Sequence, residues 1–196
     1  LMLSSVGDQA VGAVGTANTY IGVFIIMFGV ISSGMIAVMS QNIGAGRPGI
    51  AYQARQLGLL FNASTGILMS VILAFCSGRI LKVVSIAPAL LEPAETYLKI
   101  VGGACFLNAL IPIFSSYLRV FGYTKHSLIG TIVGNAVNII FNSVFLFVFK
   151  WGVMGVAVAT VISKVVNLII VAAMGAVLIK AKQSPERIQP RKILAQ

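Results

Sequence analysis

An all-α membrane protein, a transmembrane helical bundle of six spans with the first truncated, is the fold class this sequence predicts. Three observations carry that expectation. Over 196 residues the chain is 58% hydrophobic and 9% charged, whereas a soluble domain carries about 25% charged residues. Apolar runs of roughly 20 residues, enough to cross a bilayer, alternate with short polar links. The basic residues that raise the net charge to +10 gather in those links, where they act as orientation signals. That placement makes membrane lipid the expected partner and excludes nucleic acid, which charge alone would suggest.

Taken in order, Leu1 to Ser5 read as the tail of a span already under way, so the chain is expected to be truncated at its start. Ser4 to Gly15 follows as a tight polar hairpin. The second span is expected over Thr16 to Ser40, with Ser32, Ser33 and Gly34 small enough to admit a neighbouring helix. Gln41 to Gln56 reads as a Gly/Pro loop carrying Arg47 and Arg55. Its Gly44-Ala45-Gly46 lacks the preceding strand and the third glycine of a dinucleotide fingerprint. Leu57 to Cys76 is the third span, interrupted by Asn62, Ser64 and Thr65.

Ser77 to Tyr97, with Arg79, Lys82, Glu92 and Glu95, is expected to lie on the membrane surface as an amphipathic piece. Ile100 to Leu118 is the fourth span. Pro112 is expected to kink it, with Ser115 or Ser116 helping to satisfy the freed carbonyl. Arg119 to His126 reads as a basic loop in which His126, the sole histidine, is solvated. The fifth span, Ser127 to Phe149, holds 23 residues without a charge. Lys150-Trp151-Gly152 joins it to the sixth, Val153 to Ile179, and Trp151 reads as an interface anchor. Cys76 and Cys105 fall near span ends with no metal or disulfide spacing.

Nine Lys and Arg residues (47, 55, 119, 125, 180, 182, 187, 191 and 192) fall on one side of this arrangement. Four (79, 82, 99 and 150) fall on the other, and Lys164 lies inside a span. The basic excess puts the C-terminal tail, Lys180 to Gln196, in the cytoplasm of a plasma (inner) membrane protein.

The polar residues inside the last two spans carry the functional signal. Ser127, Thr131, Asn135, Asn138 and Asn142 follow i, i+4, i+8, i+11 and i+15, one narrow stripe of a single helix. Carboxamides in hydrocarbon need partners, so the stripe faces protein or a water-filled cavity. Thr160, Ser163, Lys164 and Asn167 make a second polar face on the sixth span. A mid-membrane lysine costs roughly 2.5–3.5 kcal/mol on insertion scales, so Lys164 is expected to face a cavity with a carboxylate or water beside it. The three-residue link makes the fifth and sixth spans antiparallel neighbours, and Gly130 and Gly134 permit their close approach. Asn138, Asn142 and Thr160 are then expected to converge on a solute or a hard cation, with Na⁺ as the candidate ion at Asn138 and Asn142. Asn135 belongs to the same group, and Thr131, Ser163 and Asn167 are expected to line the cavity around it. Glue between helices is the bland alternative for the asparagines. No nucleophile–base pair or metal-ligand spacing is present, so no catalytic residue and no cofactor is expected.

Several short motifs resemble the multidrug and toxic compound extrusion (MATE) transporter family. They are G-D-x-A-V-G-A-V-G at Gly7 to Gly15, S-Q-N-I-G-A-G-R at Ser40 to Arg47 and A-x-x-Y-L at Ala94 to Leu98. They continue with L-R-V-F-G-Y-T-K at Leu118 to Lys125, N-x-x-x-N at Asn138 to Asn142 and G-V-x-G-V-A-x-A-T at Gly152 to Thr160. The resemblance implies one half of a twelve-helix antiporter that exports amphipathic compounds against Na⁺ or H⁺. Residues 1–179 would be its N-terminal bundle, and 180–196 a linker toward a missing C-terminal half. In that family a first-span carboxylate joins asparagines that match Asn138 and Asn142 and a hydroxyl position that matches Thr160. The carboxylate would fall before Leu1, and Lys164 matches no family signature. A lipid-linked oligosaccharide flippase of the same superfamily, or a six-span scaffold or channel subunit, is the alternative.

Overall fold

The computed structural model of the chain describes residues 7–83 and 86–183, with only the backbone described for 179–183. The described residues form helices α1 (Asp8–Gly44), α2 (Pro48–Val83), α3 (Pro88–Tyr97), α4 (Cys105–Val120), α5 (Thr124–Ser143) and α6 (Gly152–Gln183). A π-helical turn, Leu98–Gly102, continues α3 toward α4, and another, Val144–Val148, extends α5. Among the described residues four helices are long and apolar enough to span a membrane, and α3 with α4, bent by 43°, makes a fifth candidate when the pair is counted as one span. These five correspond to the second through sixth spans expected from the sequence. Residues 1–5, read as the end of a first span, lie outside the described residues, as do 184–196 of the expected linker.

The boundaries differ from the sequence reading where Gly and Pro were taken for loops. Asp8 to Gly15 are not a hairpin but the opening turns of α1, because Ala10, Ala13, Val14 and Ala17 make one buried helical face. The stretch Gln41 to Gln56 is not a long loop either. Only Ala45 to Arg47 leave the helix, with Gly46 at φ 70° making the turn and Pro48 opening α2. Arg55 therefore lies within α2, its guanidinium 4.2 Å above the Tyr117 ring of α4. At the other end, α6 continues through Lys180 to Gln183.

The largest correction concerns Ser77 to Tyr97. Ser77 and Leu81 are fully buried in α2, and α3 packs against α1. Ala94, Tyr97, Leu98 and Val101, at i, i+3, i+4 and i+7, press one apolar face into the bundle. The segment is therefore not a surface piece: Ser77 to Val83 end α2, and Pro88 to Tyr97 begin a bent helix pair packed into the bundle. The bend also lies elsewhere than expected. It falls at Gly102 to Cys105 rather than at Pro112, which α4 accommodates without a break. A Cβ on Gly102 would come within 2.8 Å of the Leu73 Cβ, so glycine there lets α2 touch the broken span. Cys105 is accordingly buried inside the bundle rather than placed at a span end.

Two apolar clusters hold the helices. One gathers Ile21, Phe28, Leu73, Tyr97, Leu98 and Cys105 around α1, α2 and the broken span. The other gathers Met35, Met39, Ile113, Tyr117, Leu118 and Val171. Helices α2 and α4 close on each other at Gly66, where a Cβ would meet the Ala109 Cβ at 2.6 Å. Many large apolar side chains, among them Ile26, Leu60, Phe75, Ile132 and Ile140, remain exposed, as a surface solvated by lipid requires. His126 is not on a solvated loop. It stands in the first turn of α5, half-buried and edge-on to Tyr123 with centroids 5.4 Å apart.

Candidate functional site

A polar cavity of about 460 Å³ opens between α5, α6, α4, α1 and the end of α3. Its position follows from how α5 and α6 meet. Lys150 and Gly152, both at φ 55°, reverse the chain in three residues, and Trp151 stacks on Phe145 at 5.1 Å and 15°. Gly130 and Gly134 then bring the helices into contact: added Cβ atoms would lie 2.6 Å from Val171 Cγ1 and 3.1 Å from Asn167 Cβ. This is the close approach the sequence predicts. Beyond it, polar residues of both helices stand opposite α4 and α1.

Asn135 and Asn138 line the cavity from α5, and Thr160, Ser163, Lys164 and Asn167 from α6. Asn138 donates from Nδ2 to Ser163 Oγ at 3.4 Å, and Ser163 Oγ donates to the Thr160 carbonyl at 2.8 Å. Asn142 does not reach the cavity wall. It lies one turn behind and donates from Nδ2 to Asn138 Oδ1 at 2.9 Å. The two carboxamides are thus a linked pair in which only Asn138 faces the space. Thr131, expected to line the cavity, is exposed and bonds back to the Ser127 carbonyl. It lies a turn beyond Asn135, at the level where Gly130 meets Val171 and the two helices touch.

Lys164 lines the cavity from near the middle of α6, half-buried. Among the described residues the ion pair is Lys99–Glu95 at 2.7 Å, remote in sequence from Lys164. No carboxylate among the described residues lines the cavity. Buried polar atoms nearby also lack hydrogen-bond partners, namely Asn108 Nδ2, Asn142 Oδ1 and Asn167 Oδ1. A carboxamide left unsatisfied in an apolar bundle is costly, so water or a ligand is the natural complement.

Three polar lining residues were not singled out in the sequence. Tyr97 enters from α3, its hydroxyl donating to Asn18 Oδ1 of α1 at 3.2 Å, and Asn108 enters from α4. Tyr97 was hidden by reading its segment as a surface piece. Asn18 and Asn108 are single polar residues with no repeat to mark their faces. Ile25, Ile111 and Pro112 supply an apolar flank, so the cavity combines hydrogen-bonding groups with a greasy wall. No groups of three or more His, Cys, Asp or Glu among the described residues could hold a metal.

The family model MatE matches residues 1–144. The chain is 35% identical over 173 residues, 86% of its length, to the uncharacterized transporter YisQ of Bacillus subtilis (strain 168), and covers 38% of that protein. It is 29% identical over 128 residues to the FAD transporter of Shewanella oneidensis, covering 65% of this chain and 28% of that one. Among solved structures, the outward-facing conformation of a multidrug resistance MATE family transporter of the MOP superfamily superposes with a TM-score of 0.82. The match has 20% identity and covers 90% of this chain and 39% of the other, and it shows a shared fold. The chain thus spans well under half the length of these relatives.

Proposed function

The chain belongs to the MatE family, and from that premise we propose that it is the N-terminal half of a secondary antiporter. In this reading it moves amphipathic organic compounds out of the cell across the plasma membrane, in exchange for Na⁺ or H⁺. The observation that carries the reading is the cavity itself. A lipid-exposed bundle gathers Asn138, Thr160, Ser163, Lys164 and Asn167 around 460 Å³ of space, within the size range of small-molecule sites. Helix glue requires no space between the glued groups.

Asn138 is the residue assigned to the coupling ion, and Asn142 orients it through the 2.9 Å bond. Amide oxygens are hard ligands, and a sodium ion would need further oxygens from water, the solute or the rest of the full-length protein. Thr160 stands one helix away as a hydroxyl contact. In this reading a second bundle completes the transporter, and the basic excess on one side of the spans sets the orientation. The relative named FAD transporter is one reason not to restrict the cargo to small drugs.

The test uses the full-length protein in proteoliposomes, with ethidium as the solute and imposed Na⁺ or pH gradients. Gradient-driven ethidium movement under one of the two is expected. Movement indifferent to both gradients would remove the antiport assignment. Residues 1–196 alone are expected to insert without transporting.

The Lys164 ammonium, without a carboxylate among the described residues lining its cavity, favours a second reading, a flippase for a lipid-linked oligosaccharide. Translocation of a fluorescent polyprenyl diphosphate sugar, independent of either gradient, is the outcome specific to it.

A further inference from the structure

Resting on the reading of this cavity as the transport site, we propose that Ser70 of α2, which does not itself line the cavity, is a positioning residue for it. Its hydroxyl holds the break between α3 and α4 and so sets where Tyr97 stands. The break lies at Gly102 to Cys105, with Tyr97 on one side and Asn108, Ile111 and Pro112 on the other, all of them lining the space. The relative placement of these two parts of the wall is decided at the break.

A helix that starts inside a membrane bundle has N–H groups with neither an intrahelical partner nor water to take them. Ala104, at the capping position of α4, has no side-chain acceptor to offer. The acceptor comes from another helix. Ser70 is buried, and the Phe106 N–H in the first turn of α4 donates to its Oγ at 2.9 Å. In a straight span that N–H would go to the Gly102 carbonyl four residues back. Ser70 therefore satisfies the donor that bending frees, and favours the bent form over the straight one.

Asn62, Gly66 and Ser70 follow at intervals of four and share one face of α2. Gly66 lets that face reach the backbone of α4, where an added Cβ would lie 3.1 Å from the Phe106 Cα. Asn62 holds the body of α4 through the Ala109 carbonyl at 3.1 Å, and Ser70 holds its beginning. Leverage carries the effect to the cavity. Tyr97 lies seven residues before Ala104. At 1.5 Å per residue that is an arm of roughly 10 Å, so removing the 43° bend would displace Tyr97 by about 7 Å. Its 3.2 Å hydrogen bond to Asn18 could not survive such a movement.

The bend is read in the purified full-length protein by electron spin resonance between labels at Glu92→Cys and Arg119→Cys, exposed positions on either side of the break. The remaining accessible cysteines are replaced by serine. Ser70→Ala is expected to lengthen and broaden the wild-type distance distribution. It should also weaken ethidium binding, followed by fluorescence anisotropy, about tenfold. Ser70→Thr, which keeps the hydroxyl, should restore both. Tyr97→Ala should weaken ethidium by a similar factor, and adding Ser70→Ala to it should weaken it no further. Asn62→Ala, which loosens the body of α4, should leave ethidium affinity unchanged. An unchanged distance distribution in Ser70→Ala, wild-type ethidium affinity in that variant, additive losses in the double variant, or an equal loss in Asn62→Ala overturns the proposal. Ser70→Cys, a weaker acceptor, is read for ethidium in the same way where the alanine variant does not accumulate. Both readouts are taken without a gradient, so their failure leaves ethidium antiport intact, and a failure of antiport leaves the role of Ser70 intact.

Discussion

Asn62 and Asn138 are both carboxamides set in apolar helices, and their surroundings differ in kind. Asn62 of α2 is fully buried. Its Nδ2 lies 3.1 Å from the Ala109 carbonyl of α4, 3.3 Å from the Phe28 carbonyl of α1 and 3.4 Å from Ser32 Oγ. One amide thereby fastens three helices. Asn138 of α5 is half-buried, reaches one hydroxyl at 3.4 Å and accepts from Asn142, with the remainder of its side chain facing the cavity. The difference teaches that a polar residue in a membrane helix is assigned by who satisfies it. Where backbone carbonyls of several helices converge, the residue is structural; where its neighbours are other under-satisfied side chains around a space, it is available to a solute.

The contrast breaks most visibly at the packing beneath Asn62. Gly66→Leu forces a side chain into the place of Ala109 and the Phe106 backbone. A loss at or above the roughly 3 kcal/mol end of overpacking costs is expected, seen as collapse of membrane abundance in the full-length protein. Asn62→Ala comes next, at about 1–3 kcal/mol, from the lost interhelical bonds and the void. It should lower the thermal unfolding midpoint in detergent while leaving efflux per folded molecule unchanged. Asn138→Ala reverses the pattern. Its stability cost should stay near the roughly 0.6 kcal/mol typical of a membrane hydrogen bond, and gradient-driven efflux per molecule should drop about tenfold. Thr131→Ala, away from the cavity, should change neither quantity, and an efflux defect there would enlarge the site beyond the geometry described.

The two regions were unequally legible in the sequence. A stripe of asparagines and a lysine inside uncharged helices is conspicuous, because nothing but a cavity or a partner explains it. Asn135, Asn138, Thr160 and Lys164, read from their spacing and from a charge inside a span, all line the cavity. Asn62 stood out only as a polar interruption, since the carbonyls that make it a clasp belong to helices more than thirty residues away in sequence. Tyr97 was missed for a different reason. Pro88, Pro93 and two glutamates made its segment look like a surface link, while the burial of Ala94 and Leu98 that turns it inward is a tertiary property. The start of α1 was misjudged at Gly12 and Gly15, because packing overrides intrinsic propensity there.

The central claim is that the space beside Asn138 is open to a water-borne solute while the Asn62 cluster is closed. Reactivity of introduced thiols tests it most directly in the full-length protein, with Cys76 and Cys105 first replaced by serine. A charged methanethiosulfonate reagent, supplied to both sides of the membrane, is applied to Thr160→Cys in the cavity and to Ser32→Cys in the Asn62 cluster, where Ser32 is buried. Thr160→Cys is expected to react and Ser32→Cys to stay unmodified under the same conditions. Equal labelling of the two positions, or labelling of Ser32→Cys alone, would contradict the assignment of the cavity as the path of the solute.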